Sequence, residues 1–386
     1  MIYLDNAATT MQKPRGVIEA VVQAMKTAGN AARGMGEAAL WSSRLIFEVR
    51  VQVATFFNVS RPDHVIFTSN ATEALNIVLN GLFIRGDHVI TTDLEHNAVL
   101  RPLYRLQERG DIMLSIVPAD SCGNIHLDVV ESLIRSSTRA IVITHASNLT
   151  GNVVDVRRIG QLARARDILF VVDAAQTAGS MPIDMENLHI DVLCVTGHKG
   201  LFGPQGTGCL CLREGIDIRP FKVGGTGVQS FSKTQPQTYP ERLEAGTLNT
   251  HGIAGLAAGI SFVQSTGIEK IHRHEMSLTR RFYDGVVSLP DIQIYGDFSV
   301  DDRAPIVALN LGKIDSAIVA DILSTTYGIA TRAGAHCAPR MHEVLGTVSQ
   351  GAVRFSFSWF NTEDEVDRAI EALRDISQHL VSNAHD

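Results

Sequence analysis

Between about residue 60 and residue 215, short apolar runs rich in β-formers alternate with amphipathic stretches. The runs are His64–Thr68, His88–Thr92, Ala140–Thr144, Leu169–Val172, Val192–Thr196 and Gly208–Leu212. Several carry apolar residues on both faces, the pattern of strands covered on each side. Between them lie helical repeats such as Val156–Arg166, where Ile159, Leu162 and Ala163 share one face. This β-α alternation predicts an α/β fold with a mostly parallel, doubly wound sheet.

After about residue 255 the pattern changes. A long helix is expected over Ile268–Leu289, then strands at Ile306–Leu311 and Ala352–Phe357. Thr362 and Glu365 have the spacing of a capping box, and Val366, Ile370 and Leu373 then recur at helical intervals. The reading is a large domain over 15–255 and a smaller α+β domain from 1–14 and 256–386.

Composition narrows the function without naming it. The chain has 386 residues, 45% hydrophobic and 19% charged, with a formal charge of −7. That balance argues against a sequence-independent grip on nucleic acid or on an acidic membrane. No run reaches the ~18–20 apolar residues of a membrane helix, and Met1–Arg15 lacks the features of a signal peptide. Five cysteines (Cys122, Cys194, Cys209, Cys211 and Cys337) form no CxxC pair, which is poor material for a disulfide or zinc framework. A reducing cytoplasm fits this usage. Cys209 and Cys211 share one face of a strand and read as small core residues.

Polar clusters follow the apolar runs, where ligands of such sheets bind. After the first run, Asn70 and Glu73 in Ser69–Glu73 are spaced as a helix cap, and a capped helix start is an anion site. Asp173 ends the run Ile168–Val172, with Gln176 three residues on. A carboxylate there suits a helix cap, a metal ligand or a cationic ring nitrogen. Lys199, in Thr196-Gly197-His198-Lys199-Gly200, leaves another buried run. Desolvation would lower its pKa and suit it to bond a carbonyl. Gly203–Gly208 matches neither the Rossmann nor the Walker pattern.

In this order, Tyr3-Leu4-Asp5-Asn6-Ala7-Ala8-Thr9-Thr10, Asp173-Ala174-Ala175-Gln176 and Thr196–Gly200 resemble the class V aminotransferase-like enzymes, the cysteine desulfurase and selenocysteine lyase group. The resemblance covers nearly the whole chain. It implies fold-type I architecture and pyridoxal 5′-phosphate, with Lys199 bonded to the cofactor. Asp173 would pair with the ring nitrogen and Gln176 would contact the ring hydroxyl, with Asn148 nearby. His96 would stack on the ring, and Ala71, Thr72, Thr196 and His198 would hold the phosphate. Glu244–Thr250 resembles a segment that reaches the partner subunit's phosphate, so Thr247 implies a homodimer with shared active sites.

The resemblance also covers Thr331–Pro339, a loop rich in Gly and Ala that carries Cys337. It implies that Cys337 is a sulfur nucleophile, its thiolate favoured by Arg332 and His336. His336 as its direct base is disfavoured because neighbours on an extended loop point apart. Arg354, alone in an uncharged run, needs an anionic partner, which the resemblance makes a substrate carboxylate and which a structural salt bridge would also supply. L-cysteine would yield L-alanine and a Cys337 persulfide, which a thiol or an acceptor protein collects. A cystine or cysteine C–S β-lyase and a selenocysteine lyase remain alternatives. The segment Asn30–Met35 departs from the pattern, with methionine where many relatives place histidine.

Overall fold

The computed structural model describes residues 1–31 and 36–383, so the departure at Met35 lies outside the described residues. Strand β1 (Ile2–Tyr3) runs parallel to β11 (Ile329–Ala330), tying the amino-terminal segment to the last third of the chain. Helices α1 (Arg15–Thr27) and α2 (Glu37–Phe57) follow. A seven-stranded sheet comes next, from β2 (Val65–Thr68), β3 (Asp87–Thr92), β4 (Ile112–Val117), β5 (Thr138–Thr144), β6 (Leu169–Asp173), β7 (Val192–Thr196) and β8 (Gly208–Leu212). Its order is β2-β8-β7-β6-β5-β3-β4.

Only β8 runs against its neighbours, pairing antiparallel with β2 and β7. The connection from β7 to β8, residues 197–207, is a loop without a crossover helix, so the strand returns antiparallel. Alternate residues of the central strands enter different cores. Ile141, Ile143, Leu193 and Val195 join one layer, while Ala140, Val142, Val192 and Cys194 join the other. Helices α3 (Ala71–Leu82) and α4 (Asn97–Glu108) cover the second layer. The first is covered by α2, α6 (Val156–Ala165) and α7 (Thr250–Thr266), with α5 (Leu127–Ser132) at its margin. Cys209 and Cys211 are both buried in that first core. Helix α7 packs on α1 and α2.

A third core joins α8 (Ile268–Val286), α9 (Ser316–Tyr327) and α11 (Glu363–Asn383) to a three-stranded antiparallel sheet. Its strands, in the order β12-β10-β9, are β9 (Ile292–Tyr295), β10 (Ile306–Leu311) and β12 (Val353–Ser356). The capping box forms at α11: Glu365 N–H reaches Thr362 Oγ1 at 3.3 Å, and Glu365 Oε2 accepts from Thr362 N at 3.2 Å. Short helix α10 (Pro339–Val344) follows the Cys337 loop. Among the described residues no helix is long and apolar enough to cross a membrane.

Candidate active site

Five strands of the large sheet deliver polar residues to one edge. The turn after β2 opens α3, where Asn70 Oδ1 accepts from Glu73 N at 2.9 Å. The reciprocal bond is displaced by one residue, since Glu73 Oε2 accepts from Ser69 N and Ser69 Oγ, each at 2.6 Å. The N–H groups of Ala71 and Thr72 lie in the first turn, where a helix offers them no internal acceptor. Both residues line a cavity of about 260 Å³.

That cavity is lined by Ala71, Thr72, His96, Asn148, Asp173, Gln176, Thr196, His198, Lys199, Arg332, His336 and Arg354. Of the residues singled out in the sequence, Thr247 and Cys337 are not in its lining. Thr247 lines a separate cavity of about 350 Å³ with Phe47, Arg50 and Glu244. Cys337 follows the lining residue His336 and is half-buried.

Desolvation governs the charges in the cavity. Burial, with a smaller push from Arg354, lowers Lys199 to about 8, against an opposing pull from Asp173. Desolvation therefore outweighs the nearby carboxylate, and a minority of the amine, far more than for a free lysine, is neutral near physiological pH. Burial also raises Asp173, against the Ala175 N–H on Oδ1 at 3.0 Å and the pull of Lys199. A cationic ring nitrogen beside this carboxyl would supply the missing countercharge.

His96 caps α4, its Nδ1 accepting from Ala98 N at 3.0 Å, which places the ring proton on Nε2. Burial first, and then Lys199, lowers its pKa to about 4. Burial does the same to His198. Both rings are neutral at pH 7.

Five buried polar atoms of the lining have no protein partner: Thr196 Oγ1, His198 Nδ1, Asn148 Oδ1, His336 Nδ1 and Arg354 Nε. Buried polar groups are rarely left unpaired, so these atoms mark where a polar ligand belongs. With the α3 N–H groups, Thr196 and His198 suit a phosphate. Asp173 suits a ring nitrogen, and Lys199 a carbonyl carbon. The residues present therefore fit pyridoxal phosphate.

Arg354 is 1% exposed and reaches the cavity from β12. Its Nη2 donates to Asp5 Oδ1 at 2.7 Å and its Nη1 to Asn148 O at 2.9 Å, leaving Nε buried without a partner. The ion pair and a place in the cavity wall thus coexist in one side chain. Asp5 received no role from the sequence, although it follows an apolar strand as Asp173 does. Arg332 lines the same cavity, and its backbone bridges to Arg354.

The Cys337 loop is not extended. His336 and Cys337 both take left-handed backbone angles, φ 51° and 56°. The expectation that neighbours point apart on an extended loop therefore does not apply. His336 is buried, its Nε2 on Arg332 O at 3.0 Å, and burial lowers its pKa to about 3. It is neutral, so it gives Cys337 none of the positive charge expected of it. The loop docks through its main chain: Asn148 Nδ2 donates to His336 O at 2.6 Å and Asn97 N to Cys337 O at 2.8 Å.

An α/β/α sandwich with a lysine and an aspartate at the carboxyl edge of its sheet is the architecture of fold-type I pyridoxal-phosphate enzymes. The chain belongs to the class V aminotransferase family, whose sequence model matches residues 2–369. A probable cysteine desulfurase of Methanothermobacter thermautotrophicus is 36% identical, the alignment covering 97% of this chain and 94% of the relative. A cysteine desulfurase of Cronobacter sakazakii is 35% identical, over 97% and 92%. Among solved structures, the apo cysteine desulfurase of Thermococcus onnurineus superposes with a TM-score of 0.92 at 34% identity, covering 98% of this chain and 95% of the other. The cysteine desulfurase CsdA of Escherichia coli gives 0.88 at 29% identity, over 98% and 94%.

Proposed function

We propose that this chain is a cytoplasmic, pyridoxal-phosphate-dependent cysteine desulfurase that converts L-cysteine to L-alanine and leaves the sulfur on Cys337 as a persulfide. The observation that carries the reading is the meeting of Lys199 and Asp173 with the unpartnered Thr196 and His198 in one cavity. The names of the relatives support the choice of reaction.

Ala71, Thr72, Thr196 and His198 would hold the phosphate, Asp173 the ring nitrogen, Gln176 and Asn148 the ring hydroxyl, and His96 the ring face. The bound cofactor supplies an electron sink for the substrate's α-carbon. Lys199 would hold the cofactor, and its amine would take the α-proton of the substrate and return a proton to carbon. Arg354 and Arg332 orient the substrate carboxylate. Cys337 Sγ attacks the substrate sulfur, forming an S–S bond as the Cβ–S bond breaks with its electron pair going to carbon. A thiol or an acceptor protein then removes the sulfur. Thr247, remote from this cavity within one chain, would complete the phosphate site of a second subunit in a homodimer. The accompanying division, 15–255 against 1–14 with 256–386, places the domain boundary inside α7.

The position of Cys337 outside the cavity lining keeps a second reading in view, a C–S β-lyase in which Cys337 is dispensable. The test is to supply pyridoxal phosphate, L-cysteine and a reductant, and to quantify alanine and pyruvate for the wild type and Cys337→Ala. Alanine with sulfide, abolished in the variant, is expected. Pyruvate and ammonia surviving in Cys337→Ala would overturn the desulfurase reading. Repeating the assay with L-selenocysteine separates the selenocysteine lyase alternative.

A further inference from the structure

The carbonyl oxygen of His198 receives four donors from one short amino-terminal segment. They are the Thr10 N–H at 3.1 Å, Thr9 Oγ1 at 3.2 Å, Thr10 Oγ1 at 3.1 Å and Lys13 Nζ at 3.0 Å. Lys13 Nζ also donates to Thr10 Oγ1 at 2.6 Å, and Thr10 Oγ1 lies 3.3 Å from the carbonyl oxygen of Lys199. Lys13 is the only charged member of this set. Desolvation pushes its pKa down to about 8, and no carboxylate offsets that burial.

An ammonium partly withdrawn from water without a counter-ion is a costly way to cap one carbonyl. A hydroxyl or main-chain N–H would satisfy the same acceptor at a smaller penalty, and three already reach it. The charge therefore calls for a role beyond hydrogen-bond satisfaction. Its target is the peptide joining His198 to Lys199, two residues that line the cavity. On the far side the chain is already fixed: Phe202 N donates to Lys199 O at 2.8 Å and Gly203 N to Gly197 O at 2.7 Å. The 198–199 peptide lies between the end of β7 and that turn, and the segment 9–13 is what orients it.

We propose that Lys13 is a positioning residue for Lys199: its ammonium fixes the His198–Lys199 peptide and so aims the Lys199 amine and the His198 ring into the cavity. The charge-assisted bond holds the peptide plane more firmly than neutral donors do. The two side chains on either side of that plane take their directions from it. The consequence rests on the reading of Lys199 as the cofactor-bonding amine, whereas the positioning itself does not.

Two measurements keep those claims apart. In the protein freed of cofactor, acylation of Lys199 by a small anhydride is followed by peptide mass spectrometry across pH 6–10. In parallel, the visible band that forms when pyridoxal phosphate is added is timed. Lys13→Met is expected to slow both by about tenfold or more, since small misplacements of reacting groups cost that much. Lys13→Arg, which restores a cation, is expected to recover most of the loss, with melting temperature and circular dichroism near wild type in both. If Lys13→Met does not accumulate folded, Lys13→Gln carries the same test, as it keeps a donor without charge.

Wild-type rates of Lys199 acylation in Lys13→Met would overturn the proposal. So would equal slowing in Lys13→Met and Lys13→Arg accompanied by an equal loss of melting temperature, which is the mark of a merely structural role. Altered acylation with no band in any protein, wild type included, would leave the positioning role standing and sink the cofactor reading instead.

Discussion

Around Lys199 the polar groups leave the ends of the large sheet's strands, whereas Cys337 rides on a loop between the two-residue strand β11 and α10. Asp173 is the last residue of β6, Thr196 the last of β7, and Asn70 caps the helix that follows β2. Their positions are set by sheet register and by two hydrophobic cores. The cysteine loop is held by contacts from outside: the Asn148 amide on His336 O, the Asn97 N–H on Cys337 O, and paired bonds between Gly334 and Ala352. Chemistry at the strand ends is thus tuned by desolvation of rigidly placed groups. At the cysteine it depends on how firmly a backbone is docked, which would suit the sulfur nucleophile proposed for Cys337.

The sharpest way to break this comparison is at Lys199. Lys199→Met is expected to abolish the cofactor band and to lower turnover at least about 10³-fold, as loss of a covalent nucleophile does. It should also stabilise the cofactor-free protein. The amine titrates near 8 when folded and near 10.5 when free, so the unfolded chain binds more protons between those values. The penalty from Lys199 is therefore complete below pH 8 and fades as the pH rises toward 10.5. Denaturant melts at pH 7 should show a gain of about 1–3 kcal/mol for the variant. That gain should disappear above pH 10.5, and a gain independent of pH would refute the desolvation account.

At the boundary between the two regions stands Asn148, whose amide holds the loop while its Oδ1 faces the cavity. Asn148→Ala should lower kcat by about tenfold to a hundredfold through misplacement of Cys337. It should also speed proteolytic cleavage within 333–338, with melting temperature little changed. Unaltered proteolysis would mean that the Asn97 contact alone docks the loop.

The smallest effect is expected inside the loop. Gly334 has φ 96°, a conformation that L side chains rarely adopt, yet a Cβ there would meet nothing within 4 Å. Gly334→Ala should therefore cost about 1–2 kcal/mol from backbone strain alone, seen as a lower melting temperature. An unchanged melt would show that the loop relaxes freely.

The same contrast explains what could be read from the sequence. Asp173 and Lys199 stand out because each follows an unbroken apolar run, and such runs betray buried strands whatever the rest of the fold does. Strand β4 was absent from that reading. It lies at the sheet edge, its four middle residues are partly or fully exposed, and it lacks the continuous apolar character of the inner strands. The pairing of Asp5 with Arg354, and the reach of Lys13 to His198, are long-range contacts that no local pattern encodes. The left-handed turn at His336 and Cys337 was invisible for a different reason, since neither residue type announces a positive φ as glycine does.

Asp5 and Arg354 are 349 positions apart, and the Asn6 amide spans a similar distance to Ser356 O at 2.9 Å. All the strands of the large sheet are complete by residue 212, long before the ribosome reaches β12. A nascent chain can therefore assemble the lysine end of the cavity while the guanidinium that closes it has yet to be synthesised. The growing polypeptide holds Lys199 in a half-built site, and the cavity wall is finished only when Asp5 and Arg354 have both been translated.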